Sequence, residues 1–277
     1  MAAKQRMNLD ISQAEAKEQI KQVLAQSPRQ FGLSVVRWRL ADIQAVIGWL
    51  KSKSQGGTQK ILRRLGFSYK QATAFIRSPD PLFRLKVRRI SQAFAHALWH
   101  PEQAAILFED ELSFYRNPEP APAWGERGYK QPTVAKAPGT DTLTRIGAVM
   151  DGLTGQVRYL QADKFGILAM RQLYGDLRHD YGQERIYVVQ DNCPSVHKHP
   201  TVLQTAKELG IVPLFLPTYA SWLNPIEKLW RWLKADVLHN HPWAHDLGRL
   251  RQETATFLDQ FHHPNEALLA YVGLLPV

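Results

Sequence analysis

The first part of the chain has apolar residues at the spacing of amphipathic helices. Residues 11–26 predict one helix and residues 39–51 a second, because apolar side chains recur every three or four positions. A third helix is predicted to begin after a turn at residues 55–57, with Thr58 as its N-cap and Gly66 as its end.

The polar face of this third helix is rich in groups that bind nucleic acid. Together with a lysine just beyond the helix, it offers Gln59, Lys60, Arg63, Arg64 and Lys70. A helix, a short glycine-containing turn and a second helix with such a face are typical of a helix-turn-helix, whose second helix lies in the major groove. An ordinary pair of amphipathic helices in a basic protein has the same pattern, so a merely solvated face is the alternative.

From residue 78 onwards the pattern changes. A proline-marked break is followed by a connecting helix that ends near residue 100. Short apolar runs then predict strands, and longer amphipathic segments predict helices between the later strands. The strands are predicted at residues 104–114, 143–151, 155–163, 185–191 and 211–217, and the helices at 168–182, 199–210, from 224 onwards and at 246–260. A three-strand meander followed by alternating strands and helices indicates an α/β domain with a mixed sheet.

Charge divides the 277-residue chain, whose net charge is +10. Residues 1–95 contain 18 lysines and arginines but five acidic residues, whereas the remainder contains 17 and 20. A basic region suggests a polyanionic partner, although basic surfaces also occur without one. We therefore expect a DNA-binding region with its linker at residues 1–95, joined to a second domain at residues 96–277.

The remaining bulk properties exclude several classes of protein. A lone cysteine, Cys193, excludes an internal disulfide and a cysteine zinc cluster, and it fits a reducing, cytoplasmic setting. Apolar runs stay short of the ~18 residues that a membrane span needs. An ordinary soluble protein with a nucleic-acid partner is the expectation.

Three acidic residues stand out by their position. Asp110 lies in or just after the first predicted strand, Asp191 ends the buried strand that begins at residue 185, and Glu227 opens a helix. A carboxylate at the end of a buried strand is costly unless something pairs it, and a divalent cation is a suitable partner. If the two strands are neighbours, the three carboxylates form an oxygen cage for Mg²⁺ or Mn²⁺, and two such ions about 4 Å apart suit phosphodiester chemistry.

Each of the two aspartates also has a structural explanation. Glu109 and Glu111 flank Asp110, and strand alternation puts Asp110 on one face and both glutamates on the other. Periodicity alone leaves open which face is the inner one. The segment that starts at Asp191 would form a good turn in any protein.

Glu227 likewise has a structural alternative. Asn224 is a good N-cap, Pro225 suits the first helical position, and Glu227 then stands at the third position, where a capping box needs an acid. On that interpretation Glu227 only starts its helix. The tryptophans that follow, Trp230 and Trp232, are expected to pack this helix into the core.

Taken together, these motifs resemble the DDE transposases of the mariner superfamily, in its bacterial insertion-sequence branch. The resemblance rests on EDE in the first strand, VVQDN followed by His197, and LNPIEKLW after a proline-containing loop. Between Asp191 and Glu227 lie 35 residues, which is within the range of that superfamily. The match is motif by motif over the C-terminal two-thirds and looser before it.

The resemblance implies an RNase H-like, mixed-sheet catalytic domain preceded by a small all-α helix-turn-helix region. It implies that Asp110, Asp191 and Glu227 hold two Mg²⁺ or Mn²⁺ ions, which drive hydrolytic cleavage at terminal inverted repeats and strand transfer into a target that is typically TA. The expected partner is double-stranded DNA, bound by a homodimer associated with the nucleoid. Residues that match the motif environment, expected in the second shell or at DNA, are Asn192, His197, Trp124 and Asn224.

Two other functions stay open on the sequence. One is a metal-dependent nuclease of the same fold that cleaves DNA without joining it. The other is a catalytically silent DNA-binding repressor derived from a transposase, against which the three intact acids argue. The superfamily usually carries two helix-turn-helix units and this chain has room for one, so a shortened N-terminus is expected.

Overall fold

A computed structural model describes residues 11–70, 77–126, 130–182 and 185–275. The chain divides into two compact units, Met1–Ala74 and Phe75–Val277. Among the described residues, no helix combines the length and apolar character that crossing a membrane requires.

The first unit is helical. Its helices are α1 (Gln13–Leu24), α2 (Leu40–Val46) and α3 (Gln55–Arg64), with short 3₁₀ turns at Pro28–Phe31 and Gly48–Leu50. Their apolar stripes meet in one core that contains Ala16, Ile20, Ile43, Ile47, Leu50, Leu62 and Leu65. The predicted amphipathic helices are therefore confirmed.

The predicted start of α3 is wrong. The helix begins four residues earlier, because Ser54 is the N-cap and its hydroxyl accepts a hydrogen bond from the Gly57 amide over 3.1 Å. Thr58 lies inside the helix and is fully buried. A serine in extended backbone satisfies the free amides of the first turn as well as a threonine does, and the two glycines are tolerated there. Gly66 ends the helix at a φ of 88°, as expected.

The second unit contains a sheet and six helices among its described residues. The strands are β1 (Ala104–Tyr115), β2 (Leu143–Asp151), β3 (Val157–Ala162), β4 (Arg185–Gln190) and β5 (Ile211–Phe215). The helices are α4 (Phe83–Trp99), α5 (Ile167–Asp180), α6 (Pro200–Glu208), α7 (Ile226–Leu233), α8 (Leu247–Asp259) and α9 (Glu266–Val272), and a π-helical turn at Lys234–Leu238 continues α7. Residue 95, the expected end of the DNA-binding region and linker, lies within α4.

The five strands form one mixed sheet in the order β3-β2-β1-β4-β5. β1, β2 and β3 are an antiparallel meander, whereas β4 is parallel to both β1 and β5. The connection from β4 through α6 to β5 is a parallel crossover that a helix makes possible. The predicted RNase H-like α/β fold is confirmed.

Helices cover both faces of the sheet. On one face, α5 and α6 pack on Ala105 and Leu107 of β1, while α4, α7, α8 and α9 pack on Ile106 and Phe108 on the other. Even-numbered side chains of β1 therefore face α7, and odd-numbered side chains face α5. This alternation sends Asp110 and its two neighbouring glutamates to opposite sides of the sheet.

The predicted capping box at the start of α7 does not form. The Asn224 side chain donates its amide to the carbonyl of Glu109 over 2.8 Å instead of accepting from the helix. The first turn of α7 has no side-chain cap. The Glu227 amide donates to the backbone carbonyl of Asn224 and not to its side chain. The side-chain amide of Asn224 is buried and needs an acceptor. It therefore bonds to the β1 carbonyl, and the side chain does not cap α7.

The sequence reading also missed α9. Its signals are present, since Asn265 accepts from the Leu268 amide as N-cap and Gly273 ends the helix at a φ of 85°. The packing predicted for the tryptophans of α7 is confirmed. Trp230 is 3% exposed, and the Trp232 ring lies 4.7 Å from that of Tyr271.

Candidate active site

Asp110 projects from β1 towards α7. Its Oδ2 accepts a hydrogen bond from the indole nitrogen of Trp230 over 3.0 Å. Burial, reinforced by the negative charges of Glu227 and Glu109, raises the pKa of Asp110 to about 8. A cation close to Asp110 would therefore stabilise the ionised form of its carboxylate.

Asp191 reaches the same edge of the sheet from β4. The parallel pairing of Phe108 with Val189 places Asp110 and Asp191 each two residues further along their chains. Asp191 is 58% exposed, and its Oδ1 accepts from the Cys193 amide over 2.7 Å and lies 2.5 Å from Nδ1 of His197. The hydrogen bond from His197 lowers the pKa of Asp191 and keeps it ionised.

Glu227 completes the group from the first turn of α7, where it is half-buried. Its charge acts directly on the pKa of Asp110, so the fold brings these two carboxylates together although 116 residues separate them. Asn224 anchors the start of the helix to the backbone of β1. Asp110 and Glu227 therefore lie close together, whereas Asp191 lies at the carboxyl end of the neighbouring parallel strand and contacts His197.

On the opposite side of β1, a second acidic group faces α5. Glu109 is fully buried, and its Oε2 lies 3.2 Å from Nε2 of His197, which also lies 3.8 Å from Oε1 of Glu111. Burial and the charge of Glu109 raise the pKa of Glu111 to about 7. Burial alone would lower the pKa of His197, but its contacts with Asp191 and Glu109 outweigh burial and raise that pKa to about 11.

Sequence reasoning missed two residues beside the site. Lys86, on α4, lies 2.7 Å from Asp80, 3.4 Å from Oδ1 of Asn192 and 3.3 Å from the Leu216 carbonyl. The hydrogen bond from Lys86 holds the pKa of Asp80 far below its usual range. Asp80 stands six positions before Lys86, which is not the spacing of neighbouring side chains on a helix. The local sequence therefore did not predict that the two would pair.

The other predicted residues lie at different depths. Asn192 donates to the Leu216 carbonyl, and His197 is 2% exposed. Trp124 is fully exposed at 103%; the segment just after it, residues 127–129, is outside the described residues. The predicted DNA-binding side chains of the first unit are all exposed, namely Gln59, Lys60, Arg63, Arg64 and Lys70.

Comparison with known proteins gives a consistent picture. Residues 105–250 match the family model of the DDE superfamily endonucleases. In Shigella sonnei, the "Insertion element IS630 uncharacterized 39 kDa protein" is 23% identical over 227 residues, which cover 80% of this chain and 64% of that relative. The chain thus spans less than two-thirds of the relative's length.

Solved structures show the same fold. The "Mos1 transposase paired-end complex with left transposon end" superposes with a TM-score of 0.62 at 16% identity, covering 100% of this chain and 79% of that one. The "Mos1 mariner paired end complex with Mn" superposes with a TM-score of 0.61 at 16% identity, covering 99% and 78%. At 16% identity this similarity shows a shared fold and nothing finer. It agrees with the strand order of the sheet and with the helices on both of its faces.

Proposed function

The chain belongs to the DDE superfamily endonuclease family, and on that premise we propose that it is a DNA transposase. It cleaves phosphodiester bonds at the ends of its element by hydrolysis and joins those ends to target DNA by transesterification. Asp110, Asp191 and Glu227 are its catalytic carboxylates. The resemblance to mariner-type transposases that its motifs suggested is confirmed, and this activity is the one that best accounts for the site.

The observation that carries the proposal is that the charge of Glu227 on α7 acts on Asp110 of β1, while Asp191 follows the parallel strand β4 beside it. Asp110 is largely buried beside Glu227, and both burial and the charge of Glu227 disfavour its ionised form, as the raised pKa of Asp110 shows. Structural acids are normally paired with a cation or left in water. Two neighbouring carboxylates at the carboxyl ends of the strands, such as Asp110 and Glu227, fit a metal-dependent site.

The donor set fits Mg²⁺ or Mn²⁺, because it consists of carboxylate oxygens with one exposed member. Asp110, Asp191 and Glu227 would hold the cations, and we propose two of them. When bound, such ions activate a water molecule or a 3′-hydroxyl and stabilise the departing oxygen.

The chain's own residues orient the carboxylates. The Trp230 indole restrains Asp110, and its donation to Oδ2 leaves Oδ1 for other partners. Asp191 receives both of its contacts, from the Cys193 amide and from His197, at Oδ1. Its Oδ2 is therefore the oxygen that points away from these donors. Asn224 sets the position of Glu227 by fixing the start of α7 on β1.

DNA recognition is assigned to the first unit. The exposed polar face of α3 presents Lys60 and Arg63, which suit phosphate contacts, and Gln59, which suits a base edge. We propose terminal inverted repeats as the specific ligand, TA as the target and a homodimer as the active form. The Mos1 complexes with transposon ends support this proposal by analogy of fold. A DNA-bound protein of this kind would be associated with the nucleoid in the cytoplasm.

The test is cleavage of a duplex that carries the gene's own flanking sequence, in Mn²⁺ or Mg²⁺. Wild type is compared with Asp191→Asn and with Asp176→Asn, which changes an exposed acid on α5. Nicks at a fixed repeat boundary that vanish only in Asp191→Asn support the proposal. A strand-transfer product separates a transposase from a cleavage-only nuclease. Specific binding by folded protein without any metal-dependent cut would overturn the proposal and indicate a repressor.

A further inference from the structure

Four buried polar atoms lie close together on the α5 side of β1. They are both carboxylate oxygens of Glu109, Oε1 of Glu111 and Nε2 of His197; apart from the 3.2 Å ion-pair contact between Nε2 and Oε2 of Glu109, they make no hydrogen bond among the described residues. Leaving such atoms unsatisfied costs free energy, and the cost is larger for a charged group. Their concentration in one place indicates a ligand that all of them share.

The spacing of these atoms fits a small cation. Nε2 of His197 lies 3.2 Å from Oε2 of Glu109 and 3.8 Å from Oε1 of Glu111, and one ligand atom from each residue lies within 4.8 Å of the others. Two ligands about 2.0–2.1 Å from a tetrahedral ion are about 3.3 Å apart. The side chains are therefore already near the separation that coordination to one ion requires.

Protonation of His197 does not remove the need for a ligand. An imidazolium has one N–H at Nε2 to offer, so at most one of the three carboxylate oxygens can be satisfied by it. Two carboxylates around one imidazolium also leave an excess negative charge. Two carboxylates and a neutral imidazole, by contrast, balance one divalent cation and use all three donor groups.

We propose that Glu109, Glu111 and His197 bind one divalent transition-metal ion, Zn²⁺ or Mn²⁺, at a site separate from the carboxylates of Asp110 and Glu227. The imidazole nitrogen favours these ions over Mg²⁺, which prefers oxygen ligands throughout. Burial of Glu109 and His197 closes the site on one side. Glu111, with a side chain that is 28% exposed, leaves room for water as a further ligand.

The proposed ion would also position Asp191. A metal on Nε2 requires His197 to carry its proton on Nδ1, the nitrogen that lies 2.5 Å from Oδ1 of Asp191. A metal-bound histidine commonly donates its other nitrogen to a carboxylate in this way. The ion on the α5 side would thereby fix the orientation of a carboxylate on the catalytic edge.

The test measures Zn²⁺ and Mn²⁺ binding without DNA, in excess Mg²⁺, by the full chain carrying Asp110→Asn and Glu227→Gln. This background removes two of the three proposed catalytic carboxylates and keeps Asp191, the partner of His197, so the binding readout does not depend on the proposed transposase activity. We expect one ion per chain, and at least 100-fold weaker binding when Glu109→Gln or Glu111→Gln is added. Glu102→Gln, an exposed glutamate two residues before β1, is the matched control and should leave binding unchanged.

A crystal grown with the ion should show an anomalous peak between the three side chains. Circular dichroism verifies that each variant is folded, and the isosteric glutamines preserve volume. Equal binding by the background and by its Glu109→Gln derivative would overturn the proposal, because histidines elsewhere would then account for the ions. So would an anomalous peak that lies only at other residues.

Discussion

The indole nitrogen of Trp230 donates a hydrogen bond to Oδ2 of Asp110 across 3.0 Å. This contact joins the core of α7 to the carboxylate on β1, so one side chain both packs the helix and restrains the acid proposed to be catalytic. The other tryptophan of the helix, Trp232, donates to Asp236 and packs against aromatic rings away from the site. Trp230 therefore combines packing with positioning, whereas Trp232 contributes packing alone at this helix.

Trp230→Phe should lower cleavage activity by about 10-fold, because Asp110 loses the donor that orients it. It should also lower the free energy of unfolding by about 1–3 kcal/mol through the lost hydrogen bond and the smaller ring. Trp232→Phe is the matched control, and should lose stability but keep most activity. Denaturant unfolding and cleavage assays on both variants check this. Equal loss of activity in the two variants would argue against a positioning role for Trp230.

Asp110→Asn should abolish cleavage and yet stabilise the metal-free protein. The pKa of Asp110 is about 8 in the folded chain, against 3.8 for an aspartate in the unfolded chain. Between pH 3.8 and pH 8, Asp110 is therefore protonated in the folded state and ionised in the unfolded state. Its contribution to the free energy of unfolding is greatest below pH 4 and falls as the pH rises towards 8. Asparagine does not ionise, so the variant does not lose stability at this position as the pH rises. We expect a gain of about 1–3 kcal/mol near pH 8 and little gain near pH 4.

Unfolding of wild type and Asp110→Asn in EDTA at several pH values is the measurement. Adding Mn²⁺ should then stabilise wild type more than the variant, because only wild type retains the carboxylate. A variant that is less stable than wild type at every pH would show that burial of the charge is not the dominant cost at this position.

Asn224→Ala should displace Glu227 as well as destabilise the fold. It deletes the donor to the Glu109 carbonyl, a buried hydrogen bond whose loss costs about 1–2 kcal/mol. Asn265→Ala deletes a helix cap of similar value at the start of α9. Cleavage should fall at least 10-fold in Asn224→Ala and stay within about two-fold of wild type in Asn265→Ala. If activity follows stability alone in both variants, Asn224 has no specific role.

Lys60→Ala and Arg63→Ala should weaken DNA binding and reduce its salt dependence. Each phosphate contact that is lost changes the slope of log affinity against log salt by about 0.9. Lys21→Ala on α1, which removes a lysine with a 71% exposed side chain, is the control. Titrations of the repeat duplex at several salt concentrations provide the slopes. Identical slopes for all three variants would place the DNA on another surface.

Much of the fold could be read from local sequence patterns. The meander of β1 to β3, the alternation of later strands with helices, and the three helices of the first unit follow from periodicity, which depends on neighbours a few positions apart. The starts of α3 and α7 could not be predicted so well. Ser54 and Thr58 are both good caps, and the choice between them depends on which side chain the core of the first unit buries.

For the site, the sequence by itself determined which acids are available and that Asp110 lies on the opposite face of β1 from Glu109 and Glu111. Alternation separates Asp110 from Glu109 and Glu111 before any tertiary contact is known. Only the tertiary structure decided their partners. The contacts of Asp110 with Trp230 and of the Glu109 carbonyl with Asn224 join residues 120 and 115 positions apart. No local pattern encodes such pairs, because they exist only once the helices have packed on the sheet.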